Sequence, residues 1–600
     1  MAGVRLPHRE GVRWTHRATR FSVRRMTASS GPGEAGQGAR ARSFGAALGV
    51  YAQRTVLIML GLGFGSGLPN SLIFDTMSAW LRTAGLSLSA ISLFSLATLP
   101  YSFKFVWAPV VDRQAIPLLT RWLGRRRSWM LASQIAVVVG LVLVSAGDPN
   151  HGLSSMAVWA VCTGFASATQ DIVVDAWRIE AAEISRQGAM AAAYQWGYRI
   201  ANLVAGAAPL IIAQRVGWHV AYLSMAALMG LASLAVLLAP KETAEAVPPI
   251  PLAGVAAAPA RDTLEWIGRM LILLLAVALL ASGLGARADV LAAGLKALGA
   301  HGAGTALAAA WTAKPNGIWL QLASVALGFG ALWLAAIPVP GVKTRPGLYL
   351  SHALGDPLAD FFHRFGKRAL IILALICVYR LSDFVLNVMN AFYIDLGFSL
   401  DQIAEVRKVF GAGASMAGVF VGGLAIARFG VIRPLVVGAF ALPITNTIFG
   451  WLAVQGPNMG ALTVAIGVDN IVSAYAGTCL IAFMSSLTGK GFTATQYALF
   501  SSLYSLPGKI VASQSGRIID AAAQSINAGG PLAPLRGLFA HAPPKAFATA
   551  MAHSHVAPAS LGAAYVVFFI YAGLVGVLAM ILASVVARQQ PKMAAESAPA

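Results

Sequence analysis

Stretch after stretch of this chain runs for about 20 residues with almost no charge, enough to cross roughly 30 Å of hydrocarbon as a helix. In lipid every backbone N–H and C=O must be satisfied internally, which a helix does within itself. Runs of this length therefore read as membrane-spanning helices. The hydrophobic fraction of 57% and charged fraction of 11% extend that reading to the whole chain. The fold class expected is all-α and polytopic.

Spans read from the apolar runs fall near 52–81, 88–111, 128–147, 154–182, 189–214 and 217–239. A polar, Pro-rich break covers 240–262. Two further spans follow near 266–285 and 316–338, then a second polar break at 341–367. Six more lie near 368–394, 401–427, 432–455, 460–488, 494–522 and 560–588. The expected organisation is a basic N-terminal extension at 1–50, a six-helix bundle at 51–240, a linker with two extra helices at 241–367, and a second six-helix bundle at 368–590. Residues 286–315 and 524–558 read as long outward loops.

Charge tests this count. The net charge of +21 comes from Lys and Arg scattered through short loops, not from a basic domain. Nucleic acid is therefore a poor partner, and positive-inside topology accounts for the bias. With a cytoplasmic N-terminus, Arg113, Arg121, Arg125, Arg126, Arg127, Lys241, Lys343, Arg364, Arg428, Arg433, Lys490 and Lys592 all fall inside. The opposite loops, such as 147–151 and 455–458, carry no Lys or Arg. Both termini are then cytoplasmic. Twelve and fourteen spans satisfy the charges equally.

The three cysteines, Cys162, Cys377 and Cys479, lie in apolar runs and read as packing residues. His541, His553 and His555 sit in the 524–558 loop, where scattered histidines are commoner than a metal site. No metal or cofactor is expected. Residues 1–45 are Arg-rich and nearly free of acids, as in a transit peptide, a basic tail, or an extension upstream of a start at Met26.

Within the fourth span stands Gln170-Asp171-Ile172-Val173-Val174-Asp175-Ala176-Trp177-Arg178. Asp171, Asp175 and Arg178 fall on one helical face. Ionisable groups at hydrocarbon depth are costly and mark solute or proton paths. Proton coupling needs a carboxylate whose proton affinity changes between facings, and Asp171, Asp175 and Arg178 supply the parts. Asp75 in the first span is the second candidate and Asp469 the third. Lys104, Arg199, Arg380 and Lys509 are cations within spans, and Asp383 is an obvious mate for Arg380.

After the second span comes Asp112-Arg113 and, past a short insert, Gly124-Arg125-Arg126-Arg127. This resembles the loop signature of major facilitators. Gly63-Phe64-Gly65-Ser66-Gly67-Leu68-Pro69, Ala79-Trp80-Leu81, Ser92-Leu93-Phe94-Ser95, Lys104-Phe105-Val106-Trp107-Ala108-Pro109, Gln170–Ala176 and Phe492-Thr493-Ala494-Thr495-Gln496-Tyr497-Ala498-Leu499 resemble the AmpG family of muropeptide permeases. The resemblance runs in order over about 50–590. Asp75, the Asn387–Asp395 stretch, the 524–558 loop and the N-terminal extension depart from it.

The resemblance implies a major facilitator fold and proton-driven import of GlcNAc–anhydroMurNAc peptides across a bacterial inner membrane, for wall recycling. It implies that Asp112 gates with Arg113, Arg125, Arg126 and Arg127, steadying an outward-facing state. An amino-sugar peptide asks for aromatic faces, amides and cations. The substrate candidates are Gly67, Trp80, Lys104, Gln170, Tyr198, Arg199, Arg380, Tyr504 and Lys509. The sharper rival is a carrier of acetyl-CoA or another bulky anion. An enzyme lacks support, since neither His-Glu-x-x-His nor Gly-x-Ser-x-Gly occurs. A P-loop is also missing, and no soluble domain supports a sensor.

Overall fold

The computed structural model describes residues 49–86, 97, 99–183, 186–241, 255, 258–284, 288–313, 317–339, 343–489, 491–512 and 514–596. The N-terminal extension through residue 48, Ser92–Ser95 of the motif above and Lys490 lie outside the described residues. Among those described, the regular structure is helical throughout. The major helices are α1 (Arg54–Ser71), α2 (Ala108–Arg113), α3 (Arg125–Ser145), α4 (Leu153–Glu180), α5 (Gln187–Val216) and α6 (Trp218–Ala232). They continue as α7 (Pro259–Leu284), α8 (Gly317–Ala336), α9 (Arg345–Phe365), α10 (Arg368–Val378) and α11 (Gly411–Phe429). The last are α12 (Ile432–Asn446), α13 (Met459–Ser486), α14 (Thr493–Ala512) and α15 (Pro558–Glu596).

Eleven helices among the described residues are long and apolar enough to cross a membrane. They include both extra spans, as Pro259–Gly283 and Gly317–Ala336. The three remaining expected spans are interrupted. The first breaks into a π-helical segment, Leu72–Thr76, before Met77–Thr83. The second is split into Leu99–Phe103, Lys104–Val106 and α2. The third, α14, carries Pro507 and ends at Ala512, where sequence placed its end near 522. A separate helix, Ser515–Asn527, follows. Irregular backbone at membrane depth is tolerated only where it is buried in protein or lines a cavity.

Helices before residue 240 pack tightly on one another, α5 on α1 and α4 on α3. Those after residue 367 do likewise, α11 on α13 and α12 on α15. The two sets meet where α5 crosses α11 and α13, and where α14 lies against α2 and α4. α7 and α8 pair with each other and touch the rest through Phe103, Leu280, Val325 and Leu506. Gly217, at φ +94°, makes the sharp turn that sends the chain from α5 into α6.

The polar stretch 341–367 is mostly an ordered helix, α9. Thr344 caps it by accepting from the Gly347 amide, and Pro346, Ala353, Pro357 and Phe361 are buried. Its polarity comes from the exposed face, which is why it reads as a break. Residues 286–315 hold two short helices, Asp289–Ala297 and His301–Thr312. The 524–558 segment also folds down. Phe539 and Phe547 are buried with Phe392, Tyr565 and Phe569. The Asp395 carbonyl accepts from the Phe547 amide at 2.7 Å, and its carboxylate accepts from Tyr565 Oη at 2.7 Å. Asp395, unusual in the sequence, thus anchors this cap.

Candidate functional site

The site is built at the two crossings between the sets of helices. At one end, Asp112 closes α2 and is 1% exposed. Arg126, fully buried, donates to its Oδ1 at 2.8 Å and to Glu180 Oε1 at 2.5 Å. The Asp112 carboxylate also accepts from the Ala494 amide at 3.2 Å, the Thr495 amide at 2.8 Å and Thr495 Oγ1 at 2.6 Å. An anion therefore sits on the N-terminus of α14, where unpaired N–H groups and the helix dipole favour negative charge. Asp112 thereby ties residues 383 positions apart.

The other basic residues of this loop act separately. Arg127 donates to the Val236 and Leu237 carbonyls at 3.1 and 2.8 Å, closing a helix end. Arg113 pairs with Asp356 on α9 at 3.4 Å and lies over the Phe492 ring. Arg125 begins α3 beside Arg126. Gln496, next to Thr495, donates to the Pro357 carbonyl and to Asp360, both at 2.8 Å, and accepts from Arg364 at 3.0 Å. The Phe492–Leu499 motif is thus a seam joining α14 to α2 and α9.

Above this seam lies a second layer. Asp175 is held between Lys104 at 3.5 Å and Arg178 at 3.3 Å. Arg178, fully buried, donates to Ser485 Oγ of α13 at 3.0 Å and sits over the Tyr497 ring. Asp175 is therefore neutralised in place.

Beyond it a cavity of about 460 Å³ opens between α4, α5, α13 and α14. Asp171 lines it, with Tyr194, Gln195, Tyr198, Arg199, Asn202, Arg380 and Tyr504. Asp171 Oδ1 is buried without a hydrogen-bond partner, and among the described residues no cation lies within ion-pair distance of it. Arg199 likewise has no acidic partner among the described residues, and Arg380 stands within its electrostatic reach. Tyr198 Oη accepts from Asn70 at 2.9 Å. A second cavity of about 300 Å³ adjoins the first and shares Arg380 and Tyr504 with it.

Of the residues picked from sequence, Asp171, Tyr198, Arg199, Arg380 and Tyr504 come together on the cavity wall. Lys104, Asp175 and Arg178 stand behind them. Gly67, Trp80 and Gln170 line neither cavity. Gly67 lies where α1 crosses α5; a Cβ there would stand 2.5 Å from the Tyr198 carbonyl oxygen. We therefore expect Gly67→Ala to lower stability by about 1–3 kcal/mol through overpacking, read as a lower unfolding temperature in detergent. Unchanged melting would return Gly67 to the list of contact residues.

Trp80 stacks on Trp218 at 5.9 Å and is 3% exposed. Gln170 is fully buried and faces Gln134 across Gly65. Asp75 is exposed on the π-helical segment and makes no ion pair among the described residues. The Lys509 side chain lies outside the described residues.

Sequence reading missed Glu180, Gln195, Asn202 and Arg407. Arg407 is a cation inside an apolar span, so the rule that selected Arg380 would have found it. It too sits on a π-helical segment, Glu405–Phe410, a geometry frequent at functional sites. Among the described residues no group of three or more His, Cys, Asp or Glu could hold a metal ion.

A family model described as acetyl-coenzyme A transporter 1 matches residues 55–151. A putative transporter AmpG 4 of Rickettsia felis is 27% identical over 462 residues, covering 76% of this chain and 88% of its own. The anhydromuropeptide permease of Escherichia coli K12 is 29% identical over 477 residues, covering 79% of this chain and 76% of its own. Among solved structures, the major facilitator proton:xylose symporter XylE superposes with a TM-score of 0.47 at 12% identity, over 90% of this chain and 94% of its own. The resemblance read from the motifs holds along most of the chain, which is an integral membrane transporter with AmpG-type relatives.

Proposed function

We propose that this protein is a proton-coupled importer of anhydro-muropeptides across a bacterial inner membrane. One observation carries the reading. The central cavity sets two arginines, three tyrosines and two amides around a carboxylate without a hydrogen-bond partner on Oδ1. Tyr194, Tyr198 and Tyr504 offer aromatic faces to sugar rings, and Gln195 and Asn202 offer amides to their hydroxyls. Arg199 suits a substrate carboxylate, because among the described residues it has no acidic partner. Asp171, open to the cavity and with no cation in ion-pair distance among the described residues, is the group able to take and release a proton. The Asp112 seam closes the cytoplasmic side, so substrate enters from the periplasm.

The acetyl-CoA reading has its own support in the family model over residues 55–151. Several phosphates would need several free cations. Lys104 and Arg380 are already matched by Asp175 and Asp383, which favours the muropeptide. The test is uptake into proteoliposomes of labelled anhydro-muropeptide, acetyl-CoA and a simple peptide, with and without a pH gradient. Accumulation of the muropeptide alone, dependent on the gradient, is expected. Accumulation of acetyl-CoA instead would replace this reading.

The topology follows from loop charge. In a background lacking Cys162, Cys377 and Cys479, cysteines at the exposed positions Leu298 and Leu538 should label from outside intact cells. Protection of both would invert the orientation.

A further inference from the structure

We infer that the second cavity is a subsite for a zwitterionic residue of the substrate, one bearing a free ammonium and a free carboxylate together, as a diamino dicarboxylic residue of a wall peptide does. This deepens the muropeptide reading and rests on it.

The cavity is walled by Arg380, Asp383, Arg407 and Asp469, two charges of each sign. A purely anionic ligand would meet two carboxylates, and a purely cationic one two guanidiniums. Isolated charges are costly to bring into such a space unless each finds a partner. A group carrying both signs meets that condition without altering the wall.

The hydrogen bonds leave room for it. Asp383 accepts from Arg380 Nε at 2.9 Å and Ser473 Oγ at 2.8 Å, both on Oδ2. Among the described residues its Oδ1 is buried without a hydrogen-bond partner, and so is Oδ1 of Asp469. The two carboxylates stand within electrostatic reach of each other. An ammonium between them would relieve their repulsion and satisfy both oxygens. Arg407 is exposed on its π-helical segment, with one nitrogen donating to Asn390 Oδ1. The rest of its guanidinium fork can take a carboxylate. Arg380 and Tyr504 line both cavities, so one ligand can lie in the two at once.

The experiment measures binding to the full-length protein in nanodiscs. Four ligands are compared: the disaccharide with a peptide carrying the zwitterionic residue, the same with that carboxylate amidated, the same with that amine acetylated, and the bare disaccharide. Each blocked ligand should bind on the order of tenfold more weakly than the zwitterionic one, the loss of one charge-assisted contact. Arg407→Gln should erase the difference made by amidation, and Asp469→Asn the difference made by acetylation. Equal binding of the zwitterionic and both blocked ligands to the unmodified protein would overturn the inference and leave the muropeptide reading standing. Failure of all four to bind would overturn both.

Discussion

Asp112→Ala should open the seam at the end of the bundle and cost about 3–5 kcal/mol, the penalty for stranding one partner of a buried ion pair. Arg126 is fully buried and would lose one of the two acids it pairs with. Two amides and the Thr495 hydroxyl at the start of α14 would lose their acceptor at once. Asp112→Asn should fall between, because one acceptor oxygen survives while its amide faces N–H donors. Thr495→Val should cost less, about 1.5–3 kcal/mol for one hydrogen bond to a charged group. The pair should be strongly non-additive in a double-mutant cycle, since both act on one contact. The measurements are unfolding temperature in detergent and labelling of a cysteine at Ser485, behind the seam. Melting and labelling unchanged in Asp112→Ala would make the Asp112–α14 contact incidental.

Asp171→Asn should abolish accumulation driven by a pH gradient while leaving counterflow within about threefold, a change of less than 1 kcal/mol. The reason is geometric. Asp171 has a buried oxygen without a partner and faces the cavity, so its charge can change without breaking an ion pair. Asp175→Asn should behave differently. It would leave Lys104 and Arg178 as buried cations without their shared acid. Loss of both accumulation and counterflow, with lower thermal stability, is expected. Gradient-driven uptake and counterflow in the same vesicles separate the two outcomes. Full accumulation by Asp171→Asn would move the proton site to Asp75 or Asp469.

Much of the site was legible because a charge in an apolar span is so costly that its position alone marks it. That rule found Asp171, Asp175, Arg178, Lys104, Arg199 and Arg380. It could not rank them. Asp171 and Asp175 are one turn apart and look equivalent in sequence. Only the packing shows that Lys104 comes within ion-pair distance of Asp175, whereas Asp171 keeps a buried oxygen with no hydrogen-bond partner among the described residues. Aromatic residues were harder still. Trp80 and Tyr504 carry the same chemical promise, yet Trp80 is sealed among Trp218, His219 and Tyr222. Burial of an aromatic depends on the neighbouring helix, which sequence spacing within its own helix does not reveal.

The sequence by itself determined that the chain spans a membrane as helices, where the eleven uninterrupted spans among the described residues lie, and which charges are out of place in them. Those follow from local hydropathy, because lipid leaves the backbone no other way to satisfy its polar groups. Tertiary structure alone decided that Asp112 caps α14, that Gln496 joins α14 to α9, and that Arg380 stands between two cavities. It also decided that the 524–558 segment is a folded cap held by Asp395. The Asp112, Gln496 and Asp395 contacts each join residues more than one hundred positions apart. Their meeting depends on how helices cross, and no periodicity within a single helix encodes that crossing.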